Sequence, residues 1–150
     1  MAEVLFYHLT ESRLQDALPS LVEKSLARGW KAVIQCADAE AMEQLDESLW
    51  TAKDDSFLPH AAEGATGQDQ RQPVLLTCGE GNANAAAIRF VTGGSKVPDV
   101  SAYERVVVMF DGHDNAQVEA ARGDWKILQA AGHTLTYWQQ NADGGWFRKA

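Results

Sequence analysis

Polar side chains follow one apolar run closely in the stretch FDGHDN at residues 110–115. Asp111, His113 and Asp114 are of the types that carry general acid–base chemistry. The carboxyl ends of strands are also where active sites of α/β proteins lie. A simpler interpretation is that Asp114 or Asn115 begins a helix as its N-cap. We expect the N-cap and no catalytic residue, with catalysis at this strand end as the alternative.

Other motifs for chemistry are weak. The stretch GEGNAN at 79–84 has the outline of a G-x-G-x-x-G phosphate loop, but Asn84 occupies the third glycine position and a strand is predicted next, so we expect a turn. The histidines have no ligand spacing, and Cys36 and Cys78 have no paired spacing. We therefore expect no metal site and no cofactor, and we expect both thiols to be reduced and buried at strand ends.

The predicted helix at 114–131 has a pattern suited to binding. Its apolar side chains cover a wider arc than the stripe of ~100° that core packing needs. Two apolar and three polar side chains lie along one edge of that arc: Val118, Trp125, Arg122, Lys126 and Gln129. An apolar shelf beside two cations suits a peptide with an aromatic group and a carboxylate, which Arg grips through two hydrogen bonds. Alternatively, Trp125 belongs to the core and the cations are merely solvated.

A second group of apolar side chains lies in LDESLWTAKDDSFLPH at residues 45–60. An amphipathic helix carrying Leu49 ends near Trp50, a short acidic turn follows, and Phe57 comes next. The two aromatic residues either close the helix onto the core or form exposed anchors, which carry a large share of the energy of protein interfaces.

Strand and helix patterns alternate along the chain, which predicts one α/β domain over residues 1–150. We expect a three-layer, Rossmann-like sandwich with a mostly parallel central sheet and helices on both faces. A polar surface loop is predicted at 61–72 and a tail at 141–150. Strands are predicted at 4–9, 30–37, 73–78, 85–91, 105–111 and 133–140, and helices from a cap at Thr10 or Ser12 to about 28, at 38–50 and at 114–131.

The composition restricts the partners. The 150 residues carry a formal net charge of −8, which argues against strong direct binding to DNA over a broad basic surface. The N-terminus lacks a basic start followed by an apolar segment, and no run approaches the roughly 20 apolar residues of a membrane-spanning helix. We expect a cytoplasmic protein without a membrane contact.

Four stretches together carry a family resemblance. They are FYHL at 6–9, the segment from GWKAVIQC to SFLPH at 29–60, RVVVMFDG at 105–112 and ARGDWKILQAAGHTL at 121–135. The chain resembles the chi subunit of the bacterial DNA polymerase III holoenzyme, a clamp-loader accessory protein. Residues 61–100 match only in outline.

The resemblance implies a non-catalytic adaptor with two protein partners. One surface would bind the psi subunit, which links chi to the clamp loader, and Trp50 and Phe57 match that surface, with Leu49 beside them. The other would bind the acidic, phenylalanine-terminated tail of the single-stranded DNA-binding protein.

The tail-binding surface matches the helix at 114–131. The resemblance implies that Arg122 holds a carboxylate, Trp125 supplies the aromatic contact and Lys126 is a second cation, with Gln129 and Val118 at the edge. Val118 stands where other members can carry a further cation.

The stretch DGGWFRKA at the end of the chain has no match in the family pattern, so Trp146, Phe147 and Arg148 either pack back or contact a partner. The alternative to the adaptor is a small nucleotide-binding protein or enzyme that uses the strand end at 110–115.

Overall fold

The computed structural model describes residues 3–51, 60–65 and 67–150, excluding the side chains of 50 and 51. Strands and helices alternate along these residues. The strands are β1 (Glu3–Leu9), β2 (Ala32–Gln35), β3 (Ala61–Ala62), β4 (Val74–Thr77), β5 (Ile88–Thr92), β6 (Arg105–Asp111), β7 (Thr134–Gln140) and β8 (Trp146–Arg148); the helices are α1 (Leu14–Ala27), α2 (Ala39–Thr51) and α3 (Asn115–Ala130).

The strands form a single sheet in the order β3-β4-β2-β5-β6-β1-β7-β8. All neighbouring pairs are parallel except β7 and β8. α1 connects β1 to β2, α2 connects β2 to β3 and α3 connects β6 to β7, and each of these pairs has at least one other strand between its members in the sheet. β1 lies between β6 and β7, so residues from the first, sixth and seventh strands meet at one side of the sheet.

Helices cover both faces of the sheet. Successive side chains of a strand point to opposite faces, and in β1 Leu5 and Leu9 pack with α1 and α2 whereas Val4 and Phe6 pack with α3. The two hydrophobic clusters are the two cores of a three-layer α/β sandwich. The predicted fold class is confirmed.

The sequence missed two short strands. The predicted loop at 61–72 contains β3 and a 3₁₀ turn at Asp69–Arg71, and the predicted tail contains β8. β3 has only two residues, which is too short for any periodicity to appear. β8 is reached through a turn closed by a hydrogen bond of 2.8 Å from Asn141 N–H to the Gly145 carbonyl.

The predicted caps of α1 are wrong. Arg13 precedes this helix and makes no side-chain cap. The backbone N–H groups of Thr10, Glu11 and Ser12 donate instead to the side-chain oxygen of Gln140, at 3.0–3.1 Å. A residue 130 positions away in the sequence thus satisfies these donors, and local pattern cannot reveal such a partner. The predicted cap of α2 is confirmed, because Asp38 accepts from Ala41 N–H at 2.8 Å.

The two cysteines differ in exposure. Cys36 is buried, as predicted, and burial is the main cause that raises the pKa of its thiol to about 12. Cys78 is exposed, so the prediction of a second buried thiol is wrong. The reason is that β4 already ends at Thr77, and Cys78 begins the following turn.

Candidate functional site

The polar side chains of the strand end at 110–115 have structural partners. Asp114 is the N-cap of α3 and accepts from the N–H groups of Ala116 and Gln117, which confirms the predicted cap. Asp111 accepts from the His113 N–H at 2.9 Å. The His113 ring lies 2.8 Å from the Thr10 carbonyl. A cavity of about 360 Å³ lies beside these groups, at the edge where α/β proteins bind ligands.

The GEGNAN stretch is a turn with no helix after it, as predicted. Its Asn84 side chain is buried and donates to the carbonyls of Ala32 and Gln72 at 3.0 Å. The guanidinium of Arg89 donates to the carbonyls of Gly79 and Gly81 from the sheet side. These carbonyls accept hydrogen bonds from a cation of the protein itself, which holds the turn against the sheet.

A larger cavity lies between α3 and the edge of the sheet formed by β7 and β8. Its volume is about 460 Å³. We call it the α3 pocket. Its lining comes from β1, β6, α3, β7 and the last two residues of the chain: His8, Phe110, Ala121, Arg122, Trp125, Lys126, Tyr137, Gln139, Lys149 and Ala150.

The orientation of α3 decides which of its side chains reach the pocket. Ala121 and Leu128 are buried against the sheet, Trp125 is half-buried, and Arg122 and Lys126 are exposed on the pocket side. The wide apolar arc predicted from the sequence does not pack entirely, because Ile127 on the other side of α3 is 68% exposed.

Trp125 belongs to the core and to the pocket at once. Its ring meets Phe6 edge to face with ring centroids 5.3 Å apart, and meets Tyr137 in the same way at 5.9 Å. Tyr137 in turn contacts Phe110 at 6.1 Å. The alternatives for Trp125 are therefore not exclusive: one part of the ring packs on the sheet and another part lines the pocket.

His8 lines the pocket from β1. Its Nδ1 lies 2.7 Å from the Tyr137 hydroxyl, and its ring stacks on Phe110 at 4.9 Å. Burial is the largest cause that lowers the pKa of His8, followed by the positive charges of Lys149 and Arg122. The uncharged imidazole is thus favoured in a pocket whose potential is positive.

Three cations surround the pocket. Arg122 is 71% exposed and has a loose contact of 3.8 Å with Glu119, and Lys126 is exposed one turn further along α3. Lys149 lies on the sheet side and donates to the Gln139 side-chain oxygen at 2.8 Å. The pocket therefore combines an aromatic floor with positive charge on two walls.

The structure brings together three of the five side chains predicted on α3. Arg122, Trp125 and Lys126 line the pocket. Gln129 is exposed and Val118 packs, half-buried, on the core, and both lie outside the lining. Their roles in binding remain predictions.

The predicted psi surface falls largely outside the described residues. Phe57 and the side chain of Trp50 lie there. Leu49 is described, is 4% exposed and packs in the core with α1. The Leu49 side chain is therefore not exposed to a partner, and its role at the interface stays a prediction.

Sequence reasoning missed the other residues of the pocket, among them His8, Phe110, Tyr137 and Lys149. His8 and Phe110 are register partners in β1 and β6, and Tyr137 follows in β7 on the other side of β1. The strand order places them together, and no local pattern specifies that order. Lys149 was missed because residues 141–150 were predicted to form a tail.

Residues 3–51, 60–65 and 67–150 contain no group of three or more His, Cys, Asp or Glu side chains placed to hold a metal ion. Over the same residues, no helix has the length and apolar character needed to cross a membrane.

Comparison with known proteins agrees with the resemblance read from the motifs. The family model of the DNA polymerase III chi subunit, HolC, matches residues 1–136. A DNA polymerase III subunit chi of Pseudomonas aeruginosa is 30% identical over 142 residues, which is 90% of this chain and 94% of that protein. The subunit chi of Escherichia coli is 26% identical over 144 residues (90% and 96% of the chains), and a probable one of Rickettsia prowazekii is 27% identical over 118 residues (74% and 71%). The chain therefore belongs to the DNA polymerase III chi subunit family, whose members are accessory subunits in DNA replication.

Proposed function

We propose that this protein is a non-catalytic adaptor that holds the acidic C-terminal tail of single-stranded DNA-binding protein in the α3 pocket and connects it, through a psi subunit, to the clamp loader. The observation that carries the proposal is the combination of an aromatic floor with cations on opposite walls of one pocket.

The apolar part of the pocket fits the aromatic end of such a tail. Trp125, Tyr137 and Phe110 present ring surfaces, and edge-to-face contacts already join them. A terminal phenylalanine ring extends this cluster in the same geometry, which is favourable beyond the area it buries. Because Trp125 is braced by Phe6, the pocket is formed before the ligand arrives.

The charged part fits the carboxylates of the tail. Arg122 is exposed, and its 3.8 Å contact with Glu119 is too long for a hydrogen bond, so its fork of donors is free to turn to a ligand carboxylate. Lys126 adds a second positive charge one helical turn away. The attraction is local, which explains how a protein of net charge −8 binds an acidic peptide.

The link to the clamp loader requires a second surface, the one that binds the psi subunit. We assign this surface to Trp50, near the end of α2, and to Phe57, which lies in the sequence between α2 and β3. The proposal also keeps the expectations of a cytoplasmic location and of no strong direct DNA binding.

The single replacements Trp50→Ala and Phe57→Ala test the psi surface. Each should abolish co-elution with a psi subunit while leaving tail binding unchanged, and retained co-elution would remove these residues from the interface.

The tail-binding experiment is a fluorescence-anisotropy titration of the protein into a labelled acidic peptide that ends in Pro-Phe. We expect micromolar binding that weakens as salt rises, because the charges are exposed. Arg122→Ala should abolish it. Arg71→Ala is the matched control, since Arg71 is an equally charged, exposed residue in the 3₁₀ turn near the opposite edge of the sheet.

No binding of the peptide at low salt would refute tail docking for this chain. Equal losses in Arg122→Ala and Arg71→Ala would mean that only net charge matters. The alternative function at the 110–115 strand end has its own test, because a bound nucleotide would raise the melting temperature of the protein.

A further inference from the structure

The end of the chain adds a strand, β8, to the sheet. β8 pairs with β7 in antiparallel register, with Gln140 opposite Trp146 and Trp138 opposite Arg148. Trp146 packs edge to face on Tyr7 with ring centroids 4.8 Å apart. β8 and the turn before it lie beyond residue 136, where the match to the family model ends.

The hairpin sends alternate side chains to opposite faces of the sheet. Trp146 packs with the cluster under α1 and α2. Lys149 reaches the other face and lines the α3 pocket. Two hydrogen bonds hold Lys149 in position. Its backbone N–H donates to the Tyr137 carbonyl at 2.7 Å, and its ammonium donates to the side-chain oxygen of Gln139 at 2.8 Å.

We propose that Lys149 is a further binding residue of the α3 pocket, and that the C-terminal hairpin thereby forms a cationic wall opposite Arg122 and Lys126 for the carboxylates of an acidic peptide. This inference rests on the proposed function. It adds to that function a part of the site that lies outside the region shared with the family model.

The charge arrangement supports this role. Arg122 and Lys126 line the pocket from α3, and Lys149 places a positive charge on the sheet side of the same pocket. Its hydrogen-bond partner is the neutral amide of Gln139, so turning the ammonium toward a carboxylate breaks no ion pair with that residue. A ligand carboxylate also attracts the ammonium through its full negative charge, which the neutral amide oxygen of Gln139 lacks, and this favours the exchange.

The test compares two adjacent residues of equal charge. Lys149→Gln and Arg148→Gln are titrated into the labelled acidic peptide ending in Pro-Phe, beside the wild type and Arg122→Ala. Arg148 is exposed, pairs in register with Trp138 and lies outside the pocket lining. We expect Lys149→Gln to weaken binding about 2–5-fold at low salt, the range of an exposed ion pair. Lys149→Glu should weaken it further, whereas Arg148→Gln should match the wild type.

Two outcomes would overturn the inference while leaving tail docking intact. One is unchanged binding by Lys149→Gln and Lys149→Glu while Arg122→Ala loses binding. The other is equal loss in Lys149→Gln and Arg148→Gln, which would assign the effect to net charge. Unchanged binding in Arg122→Ala would overturn the proposed function itself. Circular dichroism and melting curves confirm that each variant is folded.

Discussion

The rings of Trp125 and Tyr137 meet edge to face with their centroids 5.9 Å apart. One comes from α3 and the other from β7, which are consecutive in the chain and separated by the turn at Gly132. Their contact joins α3 to the sheet within the lining of the α3 pocket. A ligand in the α3 pocket therefore contacts two elements, α3 and β7, that this ring contact already holds together.

Trp125 should therefore contribute to binding more than its partial exposure indicates. We expect Trp125→Ala to lower the affinity for the acidic peptide about 30-fold, since truncating an aromatic hot spot costs about 2 kcal/mol. Trp125→Phe should retain most of the affinity because it keeps a ring beside Tyr137. Anisotropy titrations measure both, with circular dichroism to confirm folding. Wild-type affinity in Trp125→Ala would exclude the ring from the site.

The stability of the fold should depend on pH through His8. Its pKa in the folded state is lowered, first by burial and then by Lys149 and Arg122, below the ordinary value of 6.5. The unfolded chain therefore takes up this proton first, and the contribution of His8 is complete above pH 6.5 and is lost as pH falls below it. Urea unfolding at pH 7.5 and 5.5 should show a smaller loss of stability in His8→Gln than in the wild type. Equal losses would show that the imidazole does not sense this environment.

Much of the fold could be predicted from the sequence because its patterns are local. The run RVVVMFD predicts a strand buried on both faces, and β6 is one. Asp114 predicts the start of α3 because its side chain caps the two residues that follow it within one turn. β8 was missed because its stability comes from pairing with β7 and from Trp146 on Tyr7, neither of which leaves a periodic signal in three residues.

The candidate site could be predicted only on its helical wall. Arg122 and Lys126 are neighbours on one helix face, so their spacing alone brings them together. His8 and Tyr137 lie 129 positions apart, and only the placement of β1 between β6 and β7 joins them. A search by local spacing therefore finds Trp125 and the cations of α3 and misses Phe110, Tyr137 and Lys149.

The two thiols should react at very different rates. Cys78 is exposed, whereas Cys36 is buried and burial raises the pKa of its thiol to about 12, so the reactive thiolate is scarce there. A thiol-specific chromogenic reagent should label one thiol of the native protein quickly and the second only after unfolding. Cys78→Ser should remove the fast phase and Cys36→Ser the slow one. Two fast equivalents in the wild type would contradict the burial of Cys36.

Arg89 should be among the residues on which folding depends most. It is fully buried, and its hydrogen-bond acceptors are the neutral side chains of Gln35 and Tyr103 and the carbonyls of Gly79 and Gly81. Five fixed donors in a planar fork satisfy all these groups at once, and no other side chain does so. Replacing it leaves the buried acceptors of Gln35 and Tyr103 unpaired, each at a cost of about 1–3 kcal/mol, and also frees the two part-buried carbonyls.

We therefore expect Arg89→Met, which keeps an unbranched apolar stem, to lower the free energy of unfolding by about 3–5 kcal/mol. Arg89→Lys should recover only part of the loss, because a single ammonium reaches fewer of the acceptors. Urea unfolding measures both, with Arg71→Ala as an exposed control of equal charge. A loss below about 1 kcal/mol in Arg89→Met would mean that water replaces the guanidinium beneath the turn. The turn at 79–84 would then be held independently of the sheet.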